Sequence, residues 1–122
     1  MTWNVIAASV VGEAHLKQDK GNEDAFCLAS RSDGSLVLAV ADGAGSASCG
    51  GEGAELATIC AISFLSKTEL PTTEESWQAA MLETLQHVHN KLEAHAVMQE
   101  KEARDFACTL LVTVLTTSHI AA

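Results

Sequence analysis

The sequence is poor in aromatic residues: among 122 positions there is no tyrosine, with two tryptophans and three phenylalanines. Any core must therefore be built from Ala, Val, Leu and Ile. At 48% hydrophobic residues the chain has enough of them to fold, which excludes a disordered polypeptide. Cations are also scarce, with 7 Lys and Arg against 16 Asp and Glu and a formal net charge of -9. Nowhere do Lys or Arg cluster, and a nucleic-acid binder needs a basic patch to displace counterions from phosphates, so that class is excluded. Zinc motifs are missing as well. The four cysteines, Cys27, Cys49, Cys60 and Cys108, form no CxxC pair and no Cys/His zinc spacing. They read as reduced thiols, and a cytoplasmic protein is expected. No basic n-region of a signal peptide opens the sequence, and no apolar run approaches the length of a membrane span, so no membrane partner is expected.

The length suits one domain at most. Trp3 to Val11, rich in Val, Ile and Ala, predicts a strand, and Gly12 to Asn22 a polar loop. Asp24 to Ala29 predicts a second strand. Asp33-Gly34 is a hairpin-turn signal, so Leu36 to Ala41 should return antiparallel to it. That strand is apolar on both faces, with Leu36, Leu38 and Val40 on one and Val37, Ala39 and Ala41 on the other, which predicts burial on both sides. Asp42 follows on the Leu36 face. Five of the eight glycines fall between Gly43 and Gly53, in a tight loop leading into a helix over 52–67. Leu56, Ile59, Cys60 and Phe64 hold helical spacing there, and Ala54, Ala57 and Ala61 permit close packing on a sheet. Thr72-x-x-Glu75 fits a capping box for a second helix over 75–101, with the stripe Trp77, Met81, Leu85, Val88 and Leu92. Its Glu83, His87, Asn90 and Lys91 face should be solvated. The β-branched run Phe106 to Thr117 predicts another strand.

Few residues here can do chemistry. Asn22-Glu23-Asp24 puts adjacent carboxylates at a strand start, where alternation sends them to opposite faces. They read either as a metal ligand and its partner or as a solvated turn. In Asp42-Gly43-Ala44-Gly45, a carboxylate ending a buried strand is costly unless paired or metal-bound, and no basic residue lies near it in sequence. Oxygen ligands with glycines beside them suit Mg²⁺ or Mn²⁺; the other reading is an Asp capping its own turn. An acidic protein can bind phosphate through such cations. Gly50-Gly51-Glu52-Gly53 lacks a Walker spacing and reads better as close helix-to-sheet packing than as an anion site. Ser46 and Ser48 lack the Gly-x-Ser-x-Gly setting, and Cys49 has no base in view, so nucleophilic catalysis is not supported. The helical His87, His89 and His95 read as solvated or core residues, whereas His15, in the loop before Asn22, reads either as a solvated residue or as one that approaches a substrate.

Taken in order, Asn22-Glu23-Asp24-Ala25, Val37-Leu38-Ala39-Val40-Ala41-Asp42-Gly43-Ala44-Gly45, Gly51-Glu52-Gly53-Ala54 and the strand Ala107-Cys108-Thr109-Leu110-Leu111-Val112 resemble the start of the type 2C protein phosphatases, the metal-dependent PPM family. The resemblance implies an α+β fold, here part of a four-layer α/β/β/α sandwich of antiparallel sheets flanked by helices. Residues 1–122 would be the N-terminal portion of that domain, cut short. It further implies two Mg²⁺ or Mn²⁺ ions, held in part by Asp42, the Gly43 carbonyl and Glu23, with Asp24 orienting water. A water between the ions would attack the phosphorus of phosphoserine or phosphothreonine. The implied partners are a phosphorylated protein substrate and an opposing Ser/Thr kinase. Where many members of the family carry an Arg for the substrate phosphate, this sequence has Asp19, so His15, Lys17 or Lys20 would have to serve as point charges. The family's further metal-binding aspartates have no counterpart here. Weak or no turnover and a tendency to self-associate are therefore expected of the 122 residues alone. The alternative reading is a non-catalytic, phosphatase-like interaction module.

Overall fold

The computed structural model describes residues 3–18 and 21–122. Its centre is an antiparallel sheet of order β1-β2-β3-β4, formed by Asp24–Ser30, Leu36–Gly43, Cys108–Leu115 and Ile120–Ala121. Strands β1 and β2 are the predicted hairpin. Gly34 takes φ 84°, the left-handed conformation its turn requires. Asp33 closes the turn by accepting from the Ser35 backbone N–H (2.9 Å) and from the Ser35 hydroxyl.

Register divides the side chains into transverse rows. On one face Ala25, Ala41 and Leu110 align across β1, β2 and β3, as do Cys27, Ala39 and Val112, then Ala29, Val37 and Val114. Helix α2 (Gly50–Lys67) covers this face. Ala54, Ala57 and Ala61 are its fully buried contacts, and their small side chains set the close approach. Helix α3 (Glu74–Met98) packs on α2 and adds Trp77 and Val88 to the same core cluster as Val37, Ile62, Leu65 and Val114. The Arg31 guanidinium donates to the Leu65 carbonyl near the end of α2, tying the hairpin to the helix.

The opposite face is open, which corrects the expectation of a doubly buried β2. Phe26, Val40 and Leu111 form one row across it, and Val40 and Leu111 remain 53% and 63% exposed. The reason is architectural: both long helices lie on the Val37 side. The segment from Trp3 to Val11 is not a strand either. It borders the open face beside β1 and β2 but joins no backbone ladder among the described residues. It is tethered instead by side chains: Trp3 Nε1 donates to the Gly34 carbonyl (3.0 Å), and Asn22 Nδ2 donates to Ser9 Oγ (2.6 Å). Strand propensity expresses fit to a pleated, half-buried surface, and this stretch is not seated in one; Ile6 is 99% exposed.

Three smaller corrections follow from hydrogen bonding. The polar stretch after Gly12 contains a short helix, α1 (Glu13–Lys17). The cap of α3 is Thr73, whose hydroxyl accepts from the Ser76 N–H (3.2 Å), one residue later than the Thr72 box. Phe106 belongs to a 3₁₀ turn, Ala103–Phe106, and is fully buried. The inner stripe of α3 is Trp77, Ala80, Thr84, Val88 and Ala96, with Met81 and Leu92 packed against the core beside it and Leu85 turned outward. The Thr84 hydroxyl satisfies itself on the Ala80 carbonyl (2.8 Å), which is how a polar residue sits in that stripe.

Candidate metal centre

The first residue of β1 and the seventh of β2 meet at one end of the sheet. Asp24 and Asp42 are register partners, so both project from the open face, in the same row as Thr109 of β3. A proton on the Asp24 carboxyl would be shared with Asp42. That sharing, then desolvation, then the Asp42 charge hold the Asp24 carboxyl above its ordinary value; His15 pulls it down and Glu23 pushes it up. Two carboxylates on facing strand positions repel when both are ionised. Asp24 is fixed by its N–H donating to Asn22 Oδ1 (3.0 Å). Asp42 is fixed by its N–H donating to Thr109 Oγ1 (3.2 Å), whose hydroxyl faces the Asp42 carbonyl at 3.5 Å.

Glu23 diverges from Asp24, as alternation requires. Its side chain packs under the start of α2, and a methyl group on Gly50 would come within 3.2 Å of Glu23 Oε2. The Gly43 N–H donates to the Glu23 carbonyl (2.9 Å), and the Ala44 N–H to the Ala107 carbonyl (2.8 Å), locking the strand ends beneath the helix. Gly43 is obligatory in this arrangement, because a Cβ there would lie 2.4 Å from the Gly50 carbonyl carbon. Gly53 is under the same constraint, 2.0 Å from the Phe106 oxygen. The glycine-rich stretch is thus a packing device, as its spacing suggested.

The carboxylate pair borders a cleft of about 560 Å³ between the Ile6–Val10 segment and the ends of β1 and β2. A larger groove, about 730 Å³, lies between α3 and β4, away from the carboxylates. His15 is half-buried and its charge is felt at Asp24. Lys17 pairs instead with Glu13 (3.2 Å) on α1. Lys20 lies outside the described residues. Thr109 was missed in the sequence, although a lone hydroxyl in the apolar run 107–112 was a visible signal.

Among the described residues no group of three or more His, Cys, Asp or Glu side chains is arranged to hold a metal ion. Mg²⁺ needs fewer: it is commonly held by one or two carboxylates and keeps several waters. The Asp24–Asp42 pair, with backbone oxygen nearby, fits that donor set, and its mutual repulsion is what a divalent cation would relieve.

Comparison with known proteins gives the family. The sequence profile described as Protein phosphatase 2C matches residues 11–122. The chain belongs to the protein phosphatase 2C family. Serine/threonine-protein phosphatase 3 of Escherichia coli (strain K12) is 36% identical over 115 residues, covering 91% of this chain and 46% of that protein. The chain thus spans about half the length of the curated relative it matches. The crystal structure of the serine/threonine phosphatase Stp1 from Staphylococcus aureus superposes with a TM-score of 0.67 at 18% identity, over 80% of this chain and 38% of that one. That likeness shows a type 2C phosphatase fold, of which this chain forms one antiparallel sheet with its helices.

Proposed function

We propose that this chain carries part of the metal centre of a phosphatase that hydrolyses phosphoserine and phosphothreonine in proteins, with Mg²⁺ or Mn²⁺ as cofactor. The observation that carries the reading is the Asp24–Asp42 pair, two carboxylates set at facing positions of β1 and β2 in a chain of the 2C family. Asp42 and the Gly43 carbonyl would hold the ions, with Glu23, whose side chain turns away from Asp24 beneath the start of α2, reaching one of them directly or through water. When bound, such ions neutralise phosphate charge and acidify water at neutral pH. Asp24, facing Asp42 across the β1–β2 ladder, would orient water. His15, beside Asp24, is the first choice for steering the substrate phosphate. Lys17 and Lys20 are further candidates, with Lys17 needing to leave Glu13. The substrate would be a phosphoprotein, with a Ser/Thr kinase opposing the reaction. Four free thiols suit a reducing cytoplasm.

The test is Mn²⁺-dependent hydrolysis of a phosphothreonine peptide by the whole protein, with calorimetric Mn²⁺ titration of these 122 residues alongside. Asp42→Ala is expected to abolish turnover and to weaken Mn²⁺ binding at least tenfold. Metal-independent turnover, or equal activity and binding in the variant, would overturn the reading. Metal binding without any turnover in the whole protein would favour a phosphatase-like interaction module.

A further inference from the structure

Cations are rare here, and most of the described ones are occupied. Lys17 pairs with Glu13, Arg31 with Asp33, Arg104 with Glu102, and Lys101 donates to the Cys49 sulfur at 3.0 Å. Among the described residues Lys67 and Lys91 alone of the lysines and arginines have no such partner. They stand on adjacent helices and border one groove of about 430 Å³ between α2 and α3. Ile59, Ser63 and Lys67 recur every four residues along the α2 side, and His87 and Lys91 do so along the α3 side. Phe64 stacks on His87 between them, ring centroids 4.7 Å apart. Ile59 is 50% exposed. Lys91 is near enough to Cys60 on the opposite helix to lower a thiol pKa that burial raises. No carboxylate lines the groove, in a chain that carries 16.

We propose that this groove docks a short acidic segment of a partner protein, with carboxylates meeting Lys67 and Lys91 and an apolar side chain resting on Ile59 and the Phe64–His87 stack. Its reach favours a peptide: the Ile59-to-Lys67 ridge is about 12 Å long at the helical rise per residue, the span of roughly four extended residues. Charge favours an acidic one. A net charge of -9 repels acidic partners over most of the surface, so two unpaired lysines beside an apolar floor fix where and in which orientation such a segment can land. This docking is separate from the carboxylate centre and does not depend on catalysis.

Titration of the isotope-labelled protein with the blocked peptide Glu-Glu-Leu-Phe-Glu-Glu, followed by NMR, tests it. Shift changes are expected to cluster on residues 59–68 and 87–91. Lys67→Glu combined with Lys91→Glu is expected to weaken binding at least tenfold with an unchanged circular-dichroism spectrum. Lys67→Met with Lys91→Met, which keeps the side-chain length, should fall between. Equal binding of Lys-Lys-Leu-Phe-Lys-Lys, shifts centred on the open sheet face, or an unaltered affinity in the reversed-charge variant would overturn the proposal. So would binding of anilinonaphthalene sulfonate at the groove without binding of the acidic peptide, which would make it a small-anion site.

Discussion

Asp24 and Asp42 press two like charges onto one row of the sheet. In the metal-free protein this repulsion opposes folding at neutral pH, because the folded state holds a proton on Asp24 more tightly than the unfolded chain does. Replacing Asp24 by Asn keeps the shape and removes one charge. The metal-free variant is expected to melt at a higher temperature than the parent, and Mn²⁺ should stabilise it less. A thermal-shift series with and without Mn²⁺ checks both signs, and a lower melting point without metal would refute the account. Gly43 makes a second residue-scale case. Gly43→Ala must displace the first turn of α2, since its Cβ would meet Gly50 backbone at 2.4 Å, and about 3 kcal/mol of stability should be lost. Gly45→Ala, with nothing within 4 Å of the added methyl, should change stability little. Denaturant titration separates the two. Asp42 stands out in the sequence as a carboxylate ending an apolar strand, and Asp24 as one of two adjacent carboxylates where a loop enters a strand. The premise of double burial was not sound, however: Asp42 is exposed, and the force that matters is its repulsion of Asp24, which only register reveals.

Elements that carry their own punctuation were legible, and elements that need a distant partner were not. Asp33-Gly34 fixed the β1–β2 hairpin because the turn chemistry is local. Asp33 is held below its ordinary value of 3.8 first by the Ser35 hydroxyl, then by the Ser35 N–H, with Arg31 adding to the effect. A depressed carboxylate contributes stability above its unfolded pKa and loses it as pH falls through the folded one. Asp33→Asn should therefore be less stable than the parent at neutral pH and converge with it in acid, below about pH 4. A pH series of urea melts measures this, and a constant difference down to strong acid would exclude the carboxylate as the cause. At α3 the neighbouring threonines separate cap from bystander. Thr73→Ala should cost about 1 kcal/mol and Thr72→Ala almost nothing. The cap was misplaced by one residue because Thr72 and Thr73 look alike until the Ser76 N–H picks one, and Thr73 caps α3 without the Glu75 partner. Trp3 to Val11 failed as a strand for a different reason: its composition suits a sheet, but it lies along the open face and is held by side chains, not by a backbone ladder, among the described residues.

At the scale of the whole molecule, the sheet is covered on one side only. Helices α2 and α3 bury the Ala39 and Val37 rows, while the row Phe26–Val40–Leu111 and the neighbouring Leu28 stay accessible. The layered α+β fold was legible from the order of hairpin, glycine loop and two amphipathic helices; the open face was not, because alternation shows which residues share a face and nothing about what covers it. Apolar residues in a continuous row across three strands lose contact with water when another sheet packs face to face about 10 Å away. In a purified sample of these 122 residues the partner always present is a second copy. Sedimentation velocity should show association that grows with protein concentration. Val40→Thr with Leu111→Thr keeps β-branching at the first position, adds it at the second, and removes the apolar continuity between register partners. That variant should sediment as a monomer with the parent's circular-dichroism spectrum. If it associates as readily as the parent, the contact lies elsewhere, and the α3–β4 groove, where Leu82, Leu85 and Ile120 are also exposed, becomes the surface to alter next.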